Sequence, residues 1–433
     1  MPTSPPDTTN KRHDPYAAFR YPAFTVLFIG GFLIHVGASA QSVAFGWELY
    51  MRTDSVFLLG LTGLIQAIPM LLLTLPAGYI ADVYNRKKII LFALMGTTIT
   101  SLGLGGFSSM QGPVGGMFAF LLLDACFNRI AGPSASAILP LLVPPDTLEN
   151  AIKWRSSLFQ LCAVIGPALG GIIVGIHIPA AYFFSACCTA GFILLLWGAT
   201  IPLGKQGKPG SIRRQLREGL AFVWHQKIIL GTVSLDMFAV LFGGAVYLLP
   251  VFARDILTDR PFGMSPEQSL GWLRAAPALG AVLMAIYMAH RPPLKRAGRG
   301  MLKAVAAFGI ATIVFGLSRS FWLSFAMLFL TGAFDNISVV VRHTLVQLRT
   351  PNELRGRVSA VNSMFIGTSN ELGGFESGLV ARFFGPIVSV VSGGVGTLLI
   401  VALWTRLFPG LAKLRQLHEE IPADRESSAE VAP

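Results

Sequence analysis

The chain has 433 residues, 53% of them hydrophobic, and its 46 glycines lift the apolar share to roughly 64%, against about 45–50% in soluble domains. Only 13% are charged, about half the usual quarter. So few charges cannot cover a water-facing surface, and disorder needs low hydrophobicity and high net charge. The composition excludes soluble enzymes and binding modules and describes a polytopic membrane protein. The net charge of +12 raises the question of where the basic residues lie, because Lys and Arg concentrate in cytoplasmic loops of membrane proteins.

The first 21 residues are polar and rich in Pro and Thr, and no cleavable signal peptide is expected, because the apolar run that follows is too long for one. Crossing ~30 Å of hydrocarbon takes about 20 apolar residues as helix. Such stretches fall at 22–47, 56–81, 89–108, 114–140, 152–176 and 179–201, then at 228–252, 269–290, 301–317, 321–343, 358–381 and 386–409. The expectation is an all-α fold of twelve transmembrane helices, with a tail at 1–21, a six-helix bundle at 22–201, a linker at 202–227, a second bundle at 228–409 and a tail at 410–433. Only His177 to Pro179 divides the fifth span from the sixth. In the linker, Ile212, Leu216, Leu220 and Val223 share one helical face and Arg213, Arg214 and Arg217 the other, which suits a helix lying at the membrane interface. Cys126, Cys162, Cys187 and Cys188 all sit in apolar runs and read as packing residues rather than a disulfide framework.

With both termini inside, 27 of the 34 Lys and Arg fall on the cytoplasmic side and five outside, while Arg129 and Arg274 lie within helices. That bias sets the orientation. It also removes nucleic acid as a partner, since the charge is topological.

A shift of 207 residues superposes Phe127 on Phe334, Ile130 on Ile337, Pro144 on Pro351, Asp146 on Glu353, Ser156 on Ser363, Gly166 on Gly373 and Gly171 on Gly378. It also sets Glu48 over Asp255. The chain therefore reads as two homologous six-helix halves, and parallel repeats of this kind place a substrate site near the midplane between them.

The loop after the second span reads Gly78-Tyr-Ile-Ala-Asp82-Val-Tyr-Asn85-Arg86-Lys87-Lys88. It resembles the signature loop of the major facilitator superfamily, G-x-x-x-D-[RK]-x-G-[RK]-[RK], with Val83 in place of a basic residue and Asn85 in place of glycine. The resemblance implies a gating loop of Gly78, Asp82, Arg86 and Lys87. Gly78 would let the second span approach a neighbour closely. Asp82 would pair with a basic group or helix N-terminus on the facing half, so that breaking the pair biases the two access states. Asn85 would keep the turn, since asparagine tolerates positive φ. Gly166-Pro167-Ala-Leu-Gly170-Gly171 in the fifth span is similar to the end of the motif of antiporter members of the superfamily, with Cys162 where an upstream glycine is expected. Wider segments, such as LLVPPDTLENAIKWRSSLFQLCAVIGPALGG and TPNELRGRVSAVNSMFIGTSNELGGFESG, look like the bacterial branch that includes the enterobactin exporter. That branch implies a multi-pass protein of the bacterial inner membrane, and its members differ in substrate.

Charges inside a membrane cost about 2.5–3.5 kcal/mol on insertion scales and are functional candidates by default. Asp124, Asp236, Asp335, Glu371 and Glu376 are the carboxylates so placed, and Arg129 the nearby base. For most of them the alternative is an interhelical ion pair, with Arg129 neutralising Asp124 or Asp335. Asp236, flanked by Leu235 and Phe238 with no base nearby in its helix, is the expected proton-coupling residue, facing the cavity unpaired. Gln41, Gln66, Asn128 and Asn336 are polar groups that could bond a substrate or cross-link helices. The expected function is a secondary transporter that exports a small molecule (siderophore, drug or other metabolite) by alternating access, driven by protons, as a monomer in the bilayer. Proton-coupled uptake is the rival. A membrane-embedded enzyme finds no H-E-x-x-H, G-x-S-x-G or clustered Cys/His, and no P-loop offers ATP drive. No cofactor or metal is expected.

Overall fold

A computed structural model describes residues 14–201, 212–292, 296–351 and 354–414. The expected tails reach beyond this at 1–13 and 415–433, and 202–211 of the linker likewise lies outside the described residues.

The first half is α1 (Pro22–Thr53), α2 (Val56–Val83), α3 (Arg86–Ser109), α4 (Val114–Leu142), α5 (Leu148–Ile176) and α6 (Ile178–Gly198). The linker helix α7 (Ile212–His225) follows. The seventh span is a composite of α8 (Lys227–Phe242), a 3-10 turn (Gly244–Leu248), the short α9 (Leu249–Val251) and a π turn (Phe252–Ile256). Then come α10 (Pro266–Ala289), α11 (Ala297–Leu317), α12 (Phe321–Arg349), α13 (Arg355–Phe384), α14 (Pro386–Leu407) and the short α15 (Pro409–Lys413). Most helices overrun the expected spans by a few residues, because helical geometry continues through the polar interface beyond the hydrocarbon. One extended residue, His177 (φ −162°), separates α5 from α6, and proline follows it in the first turn of α6.

Among the described residues, eleven helices are long and apolar enough to cross a membrane. The twelfth expected span, α13, is 30 residues long. It carries Asn362, Asn370, Glu371 and Glu376, and these polar groups explain why its composition alone does not mark it.

The two halves repeat one packing pattern. In the first, α1 packs on α5 and α6, α3 on α4 and α6, and α2 on α4. In the second, α8 packs on α13 and α14, α11 on α12 and α14, and α10 on α12. Two seams join the halves, α2 against α13 and α5 against α10. Both have glycine on glycine. A Cβ on Gly378 would lie 2.5 Å from the Gly60 Cα, and one on Gly171 would lie 2.8 Å from the Gly271 Cα. No side chain fits at either crossing, so the backbones touch. Gly171 and Gly378 are the residues superposed by the 207-residue shift, so one internal symmetry builds both seams.

The linker helix defines one end of the molecule, and the 54–55 turn lies at the other, the far end. Polar groups tie the halves together there. Arg254 bridges to Asp54 at 2.6 Å, and the Tyr50 hydroxyl donates to Asp255. Within the first half, buried Glu48 accepts from the Tyr182 hydroxyl at 2.7 Å and pairs with Arg52. The Arg52 guanidinium also donates to the carbonyls of Ser108 (3.0 Å) and Gly112 (2.9 Å) at the end of α3.

Candidate functional site

A cavity of about 360 Å³ opens between the halves, lined by α1, α2 and α4 on one side and by the seventh span, α10 and α13 on the other. Its charged lining is Asp124, Arg129, Arg274 and Glu371, two of each sign, with Tyr247, Gln41, Ser42, Gln66 and Asn128 among them. Both glycine crossings lie at the far-end margin of this cavity, Gly60 next to its lining residue Leu59 and Gly271 three residues before Arg274.

Local sequence explains how the second half delivers its groups. At Gly243 and Gly244 the α-helix gives way to the 3-10 turn, and a Cβ on Gly244 would lie 2.2 Å from the Gly373 carbonyl oxygen. The next glycine of α13, Gly374, leaves room for the Tyr247 ring, which a Cβ there would strike at 2.4 Å. The ring therefore lies along α13, and its hydroxyl donates to the Glu371 carboxylate one turn away. From α10, Arg274 reaches across the seam and donates to the Ser42 carbonyl at 3.1 Å and the Ser42 hydroxyl at 2.7 Å. From α4, Asp124 accepts from Thr100 (3.1 Å) and from the Asn128 amide (3.0 Å). Arg129 lies near enough to Glu371 for the two charges to interact. Among the described residues, however, its guanidinium makes neither an ion pair nor a hydrogen bond. The alternative in which Arg129 neutralises Asp124 or Asp335 is thus absent: Asp124 satisfies its oxygens with neutral donors instead.

The expected residues divide between the cavity and elsewhere. Asp124, Arg129, Glu371, Gln41, Gln66 and Asn128 line it. Asp236 does not. It is 3% exposed inside the second half and forms an ion pair with Arg342 of α12, itself 2% exposed. The expectation of an unpaired Asp236 is therefore corrected: its counter-ion comes from another helix, out of reach of an inspection of its own. Asp335 and Asn336, on α12, also lie away from the cavity, and the buried Asn336 side-chain oxygen has no hydrogen-bond partner. Tyr247, Arg274 and Ser42 were not anticipated. A lone arginine inside an apolar span was the available signal for Arg274.

The loop after α2 differs from expectation in three respects. Gly78 has nothing within 4 Å of where a Cβ would stand. The predicted close approach is absent: the close contacts of α2 with α13 fall at Gly60, Gly63 and Met70, short of Gly78. Asn85 has φ −63° and serves as the N-cap of α3, its side chain accepting from the amides of Lys87 (3.0 Å) and Lys88 (3.3 Å). It thus satisfies orphan donors of the helix start rather than supplying a left-handed turn. Asp82 is exposed and makes no ion pair among the described residues. Arg86 donates to the Ala137 carbonyl of α4 at 3.1 Å, and Lys87 to the Trp197 and Ala199 carbonyls at the end of α6. In α5, Gly166 and Gly170 pack on Ser39 and Ala40 of α1, while Gly171 faces α10.

Comparison with known proteins agrees with this architecture. The chain is 26% identical over 408 residues to the enterobactin exporter EntS of Shigella boydii serotype 4 (strain Sb227), covering 93% of this chain and 96% of that one. The same figures hold for EntS of Escherichia coli O1:K1. Among solved structures, a mutant of the nucleoside transporter NupG matches with a TM-score of 0.73 at 12% identity, over 89% of this chain and all of that one. A bacterial homolog of the human lysosomal transporter Spinster, inward-facing and unoccupied, matches at 0.68 with 17% identity, over 95% of this chain and all of that one. The model of the transmembrane secretion effector family matches residues 13–430. Two packed six-helix halves around a shared polar cavity, together with a family match over nearly the whole length, make this chain a secondary transporter that belongs to the transmembrane secretion effector family of the major facilitator superfamily.

Proposed function

We propose that the chain exports a small organic molecule across the bacterial inner membrane in exchange for protons, acting as a monomer with the linker end in the cytoplasm. The observation that carries this reading is the cavity: groups from both halves converge on it, and the seams that close it lie towards the far end. Such a conformer presents the site to the linker side, where a substrate for export is collected. Exposed, unpaired Asp82 fits the same state, since its partner on the facing half would be reached only when the linker end closes. With Arg342 set aside as buried in the second half, 26 basic residues against five still support the orientation, and the similarity to enterobactin exporters supports the direction.

For coupling, Glu371 is the better candidate than Asp236. It lies in the cavity beside two arginines and holds one polar partner, Tyr247. A proton arriving there cancels a charge that substrate and arginines also sense, which links loading of one to release of the other. Asp236, closed in with Arg342, has no such access. One elementary charge moving through 100 mV supplies about 2.3 kcal/mol for transport.

The test is a substrate screen, with catecholate siderophores, dyes and antibiotics, in a bacterial host lacking its own exporters. Hits are then followed in inside-out vesicles whose interior is acidified. Accumulation that a protonophore abolishes is expected. Accumulation only when the gradient is reversed would establish uptake instead.

A further inference from the structure

We propose that the transported substrate carries an anionic group, with Arg129 as its docking cation and Gln41 as a second polar contact. The inference rests on the reading of the cavity as the transport site and names the chemistry that site selects.

A count of hydrogen-bonding capacity carries it. Four charged side chains line the cavity, and three of them already have polar partners. Asp124 accepts from Thr100 and Asn128. Glu371 accepts from Tyr247. Arg274 spends two of its N–H groups on Ser42. Arg129 has no partner among the described residues, although a guanidinium offers five donors in a fixed fork and no acceptor. A cation at mid-membrane depth without a bonded partner is costly, and a ligand oxyanion is the group that satisfies it, often through two parallel bonds. Glu371 is close enough for its charge to interact with that of Arg129, yet it does not bond the guanidinium. The fork is left free.

Gln41 is an independent second observation. It is 6% exposed, lines the same cavity, and its side-chain oxygen is buried without a partner. A buried polar atom left without a bond is costly, and a turn of this cavity-lining side chain lets a donor on the bound molecule satisfy it. The ligand that answers both groups is an organic acid that also carries a hydroxyl or amide donor, rather than a lipophilic cation.

Two dyes with a common xanthene core separate the charges: fluorescein, an anion, and rhodamine 123, a cation. Binding to the purified full-length protein is read by fluorescence anisotropy at one fixed pH, against protein-free micelles. Fluorescein should bind saturably, and rhodamine 123 at least roughly tenfold more weakly, the equivalent of one charge-assisted hydrogen bond. Arg129→Gln should weaken fluorescein by a similar factor, whereas Arg129→Lys keeps the charge and should lie between. Gln41→Leu should reduce affinity less than Arg129→Gln does. Stronger binding of rhodamine 123, absence of saturable fluorescein binding, or an unchanged affinity in a well-folded Arg129→Gln protein would overturn the proposal. If that variant does not fold, the charge preference of the wild type still decides. The measurement uses no gradient. Anion binding without proton-driven flux would therefore sink the export reading alone, and flux without anion preference would sink this one alone.

Discussion

Gly378→Ala tests whether the glycine seams hold the far end shut. The added Cβ would stand 2.5 Å from the Gly60 Cα and 2.8 Å from its nitrogen. Carbon atoms rest at about 3.5–4.0 Å, so α2 and α13 must part by about 1 Å. The obstructing atoms are backbone, and no rotamer change relieves them. Overpacking of this kind costs about 1–3 kcal/mol. Applied to one access state only, it shifts the balance towards the far-end-open state by a factor of about 5–150. The readout is a spin-label distance between Met110→Cys and Phe262→Cys, which are 83% and 91% exposed at the far end on opposite halves. The free thiols Cys126, Cys162, Cys187 and Cys188 are first replaced. A longer distance population should grow, and Gly171→Ala at the symmetry-related crossing should do the same. An unaltered distance distribution together with transport within about twofold of wild type would refute the argument that backbone contact closes this end.

Asp236→Asn strands the Arg342 charge in the second half, and removing one partner of a buried pair costs about 3–5 kcal/mol; thermal unfolding should fall sharply, and combining it with Arg342→Gln should restore part of the loss. Full stability in the single variant would return Asp236 to consideration as a proton carrier. Glu371→Gln should abolish accumulation against a gradient in vesicles while leaving downhill exchange, and retention of protonophore-sensitive accumulation would move coupling elsewhere. Asp82→Asn should insert and fold normally but turn over slowly after reconstitution, a normal turnover number being the contrary result. Gly78→Ala meets open space in this state, so binding at equilibrium should be unchanged in it.

Hydrophobic runs made most spans legible, because one apolar run makes one crossing whatever its neighbours do. The repeat was legible too, and it anticipated the correspondence of Gly171 with Gly378. Pairing between helices was not. Arg342 looked like a cytoplasmic base because apolar character fades near residue 343, whereas α12 continues to Arg349 and Arg342 faces inward, 2% exposed. That one boundary hid the counter-ion of Asp236. Tyr247 was invisible for a different reason. Its position depends on the helix breaking at Gly243–Gly244 and on two glycines of α13, more than a hundred residues away, making room. Apolar periodicity carries no trace of either.

The irregular seventh span stores length. Its 3-10 turn, Gly244–Leu248, has five residues, which at about 2.0 Å of rise each extend about 10 Å, against about 7.5 Å in α-geometry. The π turn that follows, Phe252–Ile256, is wound more loosely around the axis. Rewinding the first would draw its ends together by about 2.5 Å while every peptide group exchanges one neighbour along the chain for the next. Tyr247 sits inside that stretch, so any such change of pitch also swings its ring about the axis. The residue that bonds Glu371 is thus mounted on the most extensible part of its span, while the helices of the two seams meet as regular helices in backbone contact at glycine.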